Sequence, residues 1–171
     1  NAGKYLSDKK LRWEYQDARE QGAVQKLKEL LHLPRLPERM ECFDISHNQG
    51  AETTGSMAVF EHGRPAKKEY RKFKLQTTQG HADDFKSMAE VMSRRYGNHP
   101  DWPTPDLIVL DGGLGQLHAA LPVIRAAGCD TPVIGLAKRI EEIYVEGSED
   151  PIVLDHHEPA LQLLQFIRDE A

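Results

Sequence analysis

The stretch DLIVLDGGLGQLHAAL, Asp106 to Leu121, decides how this chain folds. Four consecutive apolar residues, Leu107 to Leu110, run into a carboxylate at Asp111, and three glycines follow in four positions. A short apolar run closed by glycine reads as a strand buried on both faces. The segment after it, LGQLHAALPVIRAAG, has helical spacing, and TPVIGLAK (Thr131 to Lys138) is a second buried-type strand. Strand, helix and strand in that order predict a parallel pair joined by a helical crossover. Ending the strand on an acid has two readings: an ordinary strand-to-helix turn, or a carboxylate presented at the edge of a sheet for chemistry.

Upstream, RMECFDIS (Arg39 to Ser46), GSMAVFEHG (Gly55 to Gly63) and EYRKFKLQ (Glu69 to Gln76) read as three strands joined by short turns, an antiparallel meander. Asp83 to Tyr96 then switches to helical periodicity. It places Phe85, Met88, Ala89, Met92 and Tyr96 on one face, with acids early and arginines late as the helix dipole favours. Downstream, EEIYVEGSEDPIVLD is a hairpin turning at Gly147 to Asp150, and EPALQLLQFIRDEA closes as a helix with Leu161, Leu164 and Ile167 on one face and Ala160 and Leu163 close beside it. Ahead of the meander, Ser7 to Leu33 predicts one long or two shorter helices, ended by Pro34 and Pro37. The sum is one α/β domain with a mixed sheet over residues 38–171, preceded by a helical extension over residues 1–37.

The 171 residues, 39% hydrophobic and 29% charged, are the composition of an ordinary globular domain. A net charge of −5 argues against a general polyanion binder. One local exception is basic: Lys67, Lys68, Arg71, Lys72 and Lys74, with Tyr70 and Phe73 between them, form either a solvated strand or a phosphate-facing patch. No apolar run approaches the roughly 20 residues that span a bilayer, and no signal-peptide pattern opens the chain. Cys42 and Cys129 make no disulfide framework, so a reducing cytoplasm is expected. The sequence begins at Asn1 without a start methionine and ends inside a helical pattern, which suggests a piece of something longer.

Two acids pose the chemical question. Asp44 sits inside the apolar run Cys-Phe-Asp-Ile, and Asp111 ends a second buried-type strand. Desolvating a carboxylate is costly unless it is paired or binds a metal. Neighbouring strands lie about 4.8 Å apart, so acids at matching heights share a divalent cation, and hard oxygen ligands suit Mg²⁺ or Mn²⁺. The Gly112-Gly113-Leu114-Gly115 loop opens a helix whose first amides favour anions, without the Lys-Ser/Thr ending of a P-loop. His47 either donates to a phosphate or caps the strand end, and Lys138 and Arg139 are expected on the same edge as Asp111. Asp155-His156-His157 looks ligand-like but reads better as a solvated turn, and Glu90 as a solvated mid-helix acid. No Ser–His–Asp or Cys–His arrangement and no GxSxG elbow is present.

Taken in order from Glu41, the segments ECFDISHNQG, GSMAVFEHGRP with KKEYRKFKL, DDFKSMAEVMSRRY, PDLIVLDGGLGQLHAAL, IGLAKRIEEIYV and PALQLLQFIRDEA resemble the C-terminal endonuclease domains of the UvrC family, nuclease subunits of bacterial nucleotide excision repair. The resemblance implies a ribonuclease H-like fold, a mixed five-stranded sheet of order 3-2-1-4-5 flanked by helices, whose first and fourth strands are parallel neighbours. Each of those strands supplies one catalytic aspartate, here Asp44 and Asp111, which implies both as ligands of Mg²⁺ or Mn²⁺. The implied reaction is hydrolysis of a DNA phosphodiester on the 5′ side of a lesion. The implied partners are damaged duplex DNA and UvrB, with UvrA in the wider pathway and no membrane. His47, Lys68, Lys72, Gly113, Gln116, Lys138 and Arg139 are the residues expected to meet DNA. The family's third catalytic residue is a histidine directly after RDEA, which here is Arg168 to Ala171, the end of the sequence. The family's DGGKGQL carries Leu114 in place of its lysine here. Two other readings stand beside this one: a catalytically silent DNA-binding or docking module on the same fold, and transposase or integrase chemistry using Asp169 or Glu170.

Overall fold

A computed structural model of the chain describes residues 22–47, 52–76, 84–137 and 142–171. Helix α1 (Ala23–Leu30) leads into the meander β1 (Arg39–His47), β2 (Thr53–Glu61), a two-residue β3 (Arg64–Pro65) and β4 (Arg71–Leu75), with a 3₁₀ turn at Lys67–Glu69. Then come α2 (Asp84–Met92) with a π turn at Ser93–Gly97, β5 (Leu107–Asp111), α3 (Leu114–Ala126), β6 (Val133–Leu136), the hairpin β7 (Glu142–Val145) and β8 (Ile152–Val153), and α4 (Pro159–Glu170). The expected helix over Ser7 to Leu33 lies largely outside the described residues, of which α1 is the described part.

All eight strands join one sheet. Its centre is β4-β2-β1-β5-β6, which is the expected order 3-2-1-4-5, with β1, β5 and β6 parallel to one another and the meander antiparallel. The β7–β8 hairpin extends the sheet beyond β6, and β3 adds a short edge beside β2. The doubly wound form follows from the apolar runs: Leu107, Ile108, Val109 and Leu110 are all wholly buried, so both faces must be covered. Alternation sorts them. Met40, Cys42, Ala58, Phe60, Leu107 and Val109 lie under α1 and α4, in one cluster with Leu27, Leu161 and Leu164. Phe43, Met57, Val59, Phe73, Ile108 and Leu110 lie under α2 and α3, with Met88, Val91 and Leu117.

Two expectations for α2 are corrected. Phe85 is not in the core but 55% exposed. Asp84 already reaches His47, the last residue of β1, so the first turn of α2 overhangs the end of the sheet, and the Phe85 ring lies against Gly115 at the start of α3 instead of over the core. The buried stripe is instead Ser87, Met88, Val91 and Met92, continuing to Arg95 and Tyr96. Arg95 is the second correction, since it answers no helix dipole in solvent.

Arg95 meets Glu41, which stands on β1 among wholly buried neighbours. Arg95 Nε and Nη2 donate to the two oxygens of that carboxylate, both at 2.8 Å, and the Tyr96 hydroxyl adds a third bond at 2.8 Å. Arg39 Nε donates to the same carboxylate at 3.0 Å. Burial works against the Arg95 charge, but the bonds and charge of Glu41 outweigh it and hold the guanidinium above its ordinary value. Burial, reinforced by the Glu41 charge, pushes the Tyr96 phenol well up. The remaining Arg95 donors take the His99 and Pro103 carbonyls at 3.2 and 2.8 Å, and the guanidinium lies over Trp102. The pair thereby ties β1 to the π turn and to the loop that delivers β5.

Removing one partner of a buried pair strands the other charge. Arg95→Met will therefore destabilise the fold by about 3–5 kcal/mol in urea titrations, and adding Glu41→Met to it will recover part of that loss.

Candidate active site

β1 and β5 run parallel with Phe43 opposite Leu110, so the next pair along is Asp44 and Asp111. By alternation both side chains point to the α4 face, two residues beyond Cys42 and Val109 respectively. Both are half-buried. Burial, then the charge of Asp111 and a hydrogen bond between the two carboxyls, push Asp44 up to about 6, against a smaller opposing pull from the Ile45 amide. Beneath them, burial and the charges of Asp111 and Asp44 push the Cys42 thiol well up. Among the described residues neither acid is in an ion pair. Two adjacent carboxylates that repel each other, unpaired with any cation among the described residues, are a donor set that fits Mg²⁺ or Mn²⁺.

The glycine turn has a steric logic. After Asp111 the backbone folds over β6, and a Cβ on Gly135 would sit 2.7 Å from the Gly112 carbonyl oxygen and 3.1 Å from that of Gly113. Gly112 N–H donates to the Leu136 carbonyl at 2.9 Å, which fixes the turn at the edge. Gly113 is the N-cap of α3 and offers no side-chain cap, so the first amides of the helix are left for another acceptor. Gln116 lies across Gly112, is 8% exposed, and its Oε1 has no hydrogen-bond partner. Leu114, where a lysine was expected from the resemblance, packs part-buried against the α2–α3 core.

The sheet register places a third group on this face. Asp44 is opposite Ser56 on β2, and Ser56 is opposite Lys72 on β4, giving one row of Lys72, Ser56, Asp44 and Asp111. Lys72 is exposed and makes no ion pair among the described residues, whereas Lys74 reaches Glu52 and Arg71 reaches Glu69. Lys68 is elsewhere: with Glu61, Arg64 and Lys67 it lines a cleft of about 890 Å³ at the far end of β2. His47 points to the α2 face, held by Thr53 Oγ1 at 3.1 Å and Asp84 Oδ1 at 2.6 Å. Lys138 and Arg139 lie outside the described residues. Glu90 is occupied by the Gln76 amide and Arg94. The ligand atoms of Asp155, His156 and His157 lie within 4.8 Å of one another, but on an exposed turn at the start of α4, the opposite end of that helix from the acids. There Asp155 accepts the His157 amide at 2.9 Å.

Sequence reasoning passed over Arg168. It stands in the last turn of α4, and its charge is felt at Cys42 together with those of Asp44 and Asp111. The signal was its spacing, since it falls four residues after Leu164 and seven after Leu161, on the stripe that α4 buries.

A family model described as UvrC RNAse H endonuclease domain matches residues 28–171 of this chain. The UvrABC system protein C of Chlorobaculum tepidum is 49% identical over 169 residues, covering 98% of this chain and 26% of that protein. That of Koribacter versatilis is 54% identical over 149 residues, covering 85% and 24%. The chain thus spans about a quarter of the length of these curated relatives. Among solved structures, Ciona intestinalis Endonuclease V in complex with a 24mer DNA aligns with a TM-score of 0.42 and 14% identity, over 86% of this chain and 66% of that one. Human ENDOV aligns with a TM-score of 0.42 and 16% identity, over 74% and 60%.

The raised Asp44 value has a consequence for stability. The folded value, about 6, lies above the ordinary 3.8, so between them the folded chain holds a proton that the unfolded chain has lost. This group's contribution is complete below the lower value and disappears as pH rises through the upper one. In metal-free buffer, Asp44→Asn will gain thermal stability over the parent as pH climbs from about 4 to about 7, whereas a difference independent of pH contradicts the proximity of the two acids. Gly135→Ala, which drives a methyl into backbone, will destabilise by about 1–3 kcal/mol in the same assay.

Proposed function

This chain belongs to the UvrC ribonuclease H endonuclease-domain family, and on that premise we propose that it hydrolyses a DNA phosphodiester, making the incision 5′ to a lesion in bacterial nucleotide excision repair. The observation that carries the reading is the Asp44–Asp111 pair, two carboxylates side by side at parallel strand ends, neither of them in an ion pair among the described residues. Asp44 and Asp111 hold Mg²⁺ or Mn²⁺, and such an ion, when bound, supplies charge neutralisation at the phosphate oxygens and a water of lowered pKa. The rest falls to the chain. The uncapped amides of α3, beginning after Gly113, face a phosphate oxygen with the Gln116 amide beside them. Lys72 meets the backbone of the same strand from its place in the row. Contacts of this kind fix position without reading bases, which suits cutting at lesions in any sequence. His47, Lys68, Lys138 and Arg139 remain proposed contacts further out on the duplex. We place the chain in the cytoplasm with damaged duplex DNA, UvrB and, in the wider pathway, UvrA as partners. No helix among the described residues is long and apolar enough to cross a membrane.

The test is a Mn²⁺ titration alongside a nicking assay on lesion-bearing duplex. Asp44→Asn and Asp111→Asn will each abolish Mn²⁺ binding and lower nicking by about 100-fold or more, the scale of losing one preorganised electrostatic group, with folding intact. Mn²⁺ binding that is unchanged or absent in the parent and both variants sinks the shared-metal reading, and a chain that binds DNA without metal-dependent nicking leaves a silent docking module as the better one.

A further inference from the structure

A groove of about 310 Å³ lies between the sheet and the last turn of α4, lined by Ser56 and Lys72 with Glu170 and Ala171, and the same turn of helix carries a cation that nothing above has used. α4 buries Leu161, Leu164 and Ile167 against the sheet, and Arg168 continues that stripe into the last turn of the helix. Its side chain is only 18% exposed, unusual for an arginine in the last turn of a helix. Among the described residues its one ionic partner is its own neighbour Asp169, at 3.5 Å and 48% exposed. It makes no ion pair with Asp44 or Asp111 among the described residues, although the helix that carries it covers the face of the sheet from which both acids project. The helix end is also pinned. Tyr70 donates to Glu170 Oε1 at 3.0 Å across 100 residues of sequence, and Phe166 meets Phe60 edge-on with ring centroids 5.3 Å apart.

A half-buried guanidinium without a dedicated carboxylate is a costly arrangement unless something anionic completes it. What fits between a carboxylate pair charged with a divalent ion and a planar guanidinium is a group with several anionic oxygens, and a phosphodiester offers them on one tetrahedral centre. We propose that Arg168 is a catalytic residue of this site, its guanidinium gripping a non-bridging oxygen of the scissile phosphate while Lys72, two strands from Asp44 in the same row, grips the adjoining stretch of the same DNA strand. The assignment rests on the nuclease reading. It gives the groove a direction: the strand enters over β4 at Lys72, passes Ser56, and is cut where β1, β5 and the end of α4 converge.

The experiment uses the full-length protein and a fluorescein-labelled duplex, in three readouts. Anisotropy with chelator present, repeated across salt concentrations, reports phosphate contacts without any metal. Arg168→Met will lower the slope of log affinity against log salt by about 0.9, the value of one lost contact on duplex DNA. It will lower Mn²⁺-supported nicking by about 100-fold and leave Mn²⁺ affinity unchanged. Arg168→Lys, which keeps the charge and loses the fork, will restore the slope and only part of the rate. An unchanged slope and rate in Arg168→Met overturns the assignment, as does a variant that loses thermal stability or Mn²⁺ binding with the slope intact, which makes Arg168 a structural cap. A parent protein that binds DNA but never nicks sinks the nuclease reading instead, and that result is separate because it appears before any substitution is made.

Discussion

Glu41 is a carboxylate set in the middle of a strand that is covered on both faces, and the structure depends on how that charge is met. Arg95 meets it through two parallel hydrogen bonds, helped by Arg39 and Tyr96. The consequence lies beyond the local energy. Arg95 also holds the His99 and Pro103 carbonyls, so the connection from the π turn to β5 is bound to the strand that β5 must join. Where that connection ends, the Arg39 amide donates to the Asp106 side chain at 2.9 Å and the Asp106 amide to the Arg39 carbonyl at 2.8 Å. These contacts set the register of β5 on β1. A slip of one residue would turn every side chain of β5 to the opposite face and carry Asp111 away from Asp44. The alignment of the acids is thus fixed at the other end of the same two strands.

The two faces of the sheet treat charge in opposite ways. On the α2 face, Glu41 is saturated with donors and its network is closed. On the α4 face, Asp44 is met by another carboxylate, and the Asp44 proton is held up to about 6 as a result. The first arrangement confers stability and geometry, and the second leaves strain where a ligand relieves it. Strained electrostatics persist only when the surrounding structure over-determines them. Here the surroundings are wholly buried strands, a helix pinned at Tyr70–Glu170, and a turn that lacks space for a methyl at Gly135.

Much of this was legible in the sequence because it depends on local pattern. Apolar runs of four gave buried strands, their alternation with helical segments gave the parallel core, and an acid at the end of each of two such runs marked Asp44 and Asp111. What escaped is set by the tertiary environment. Periodicity put Phe85 on the buried face of its helix but does not say where the sheet beneath that face stops. Arg95 looked like a helix-end cation because its partner lies 54 residues away, although Glu41, a charge among buried strand positions, already demanded one. Arg168 carried the right spacing for burial, and its charge made solvent the easier reading. The joining of β7 and β8 to the sheet was equally hidden, since a hairpin's own pattern does not name the edge it will extend.

The balance of charge bears on how such a site works. A chain with a net charge of −5 cannot draw DNA in by its overall field, and among the described residues the proposed phosphate contacts on the α4 face are few: Lys72 in the strand row and Arg168 at the end of α4. That scarcity suits a nuclease reading. Binding that is equally strong before and at the transition state lowers the substrate concentration needed without speeding the cut. A groove crowded with lysines would add mostly that. In the proposed site a single guanidinium and a divalent ion would instead act where charge develops during scission, and the long contacts that hold a duplex in place would fall to surfaces away from the chemistry.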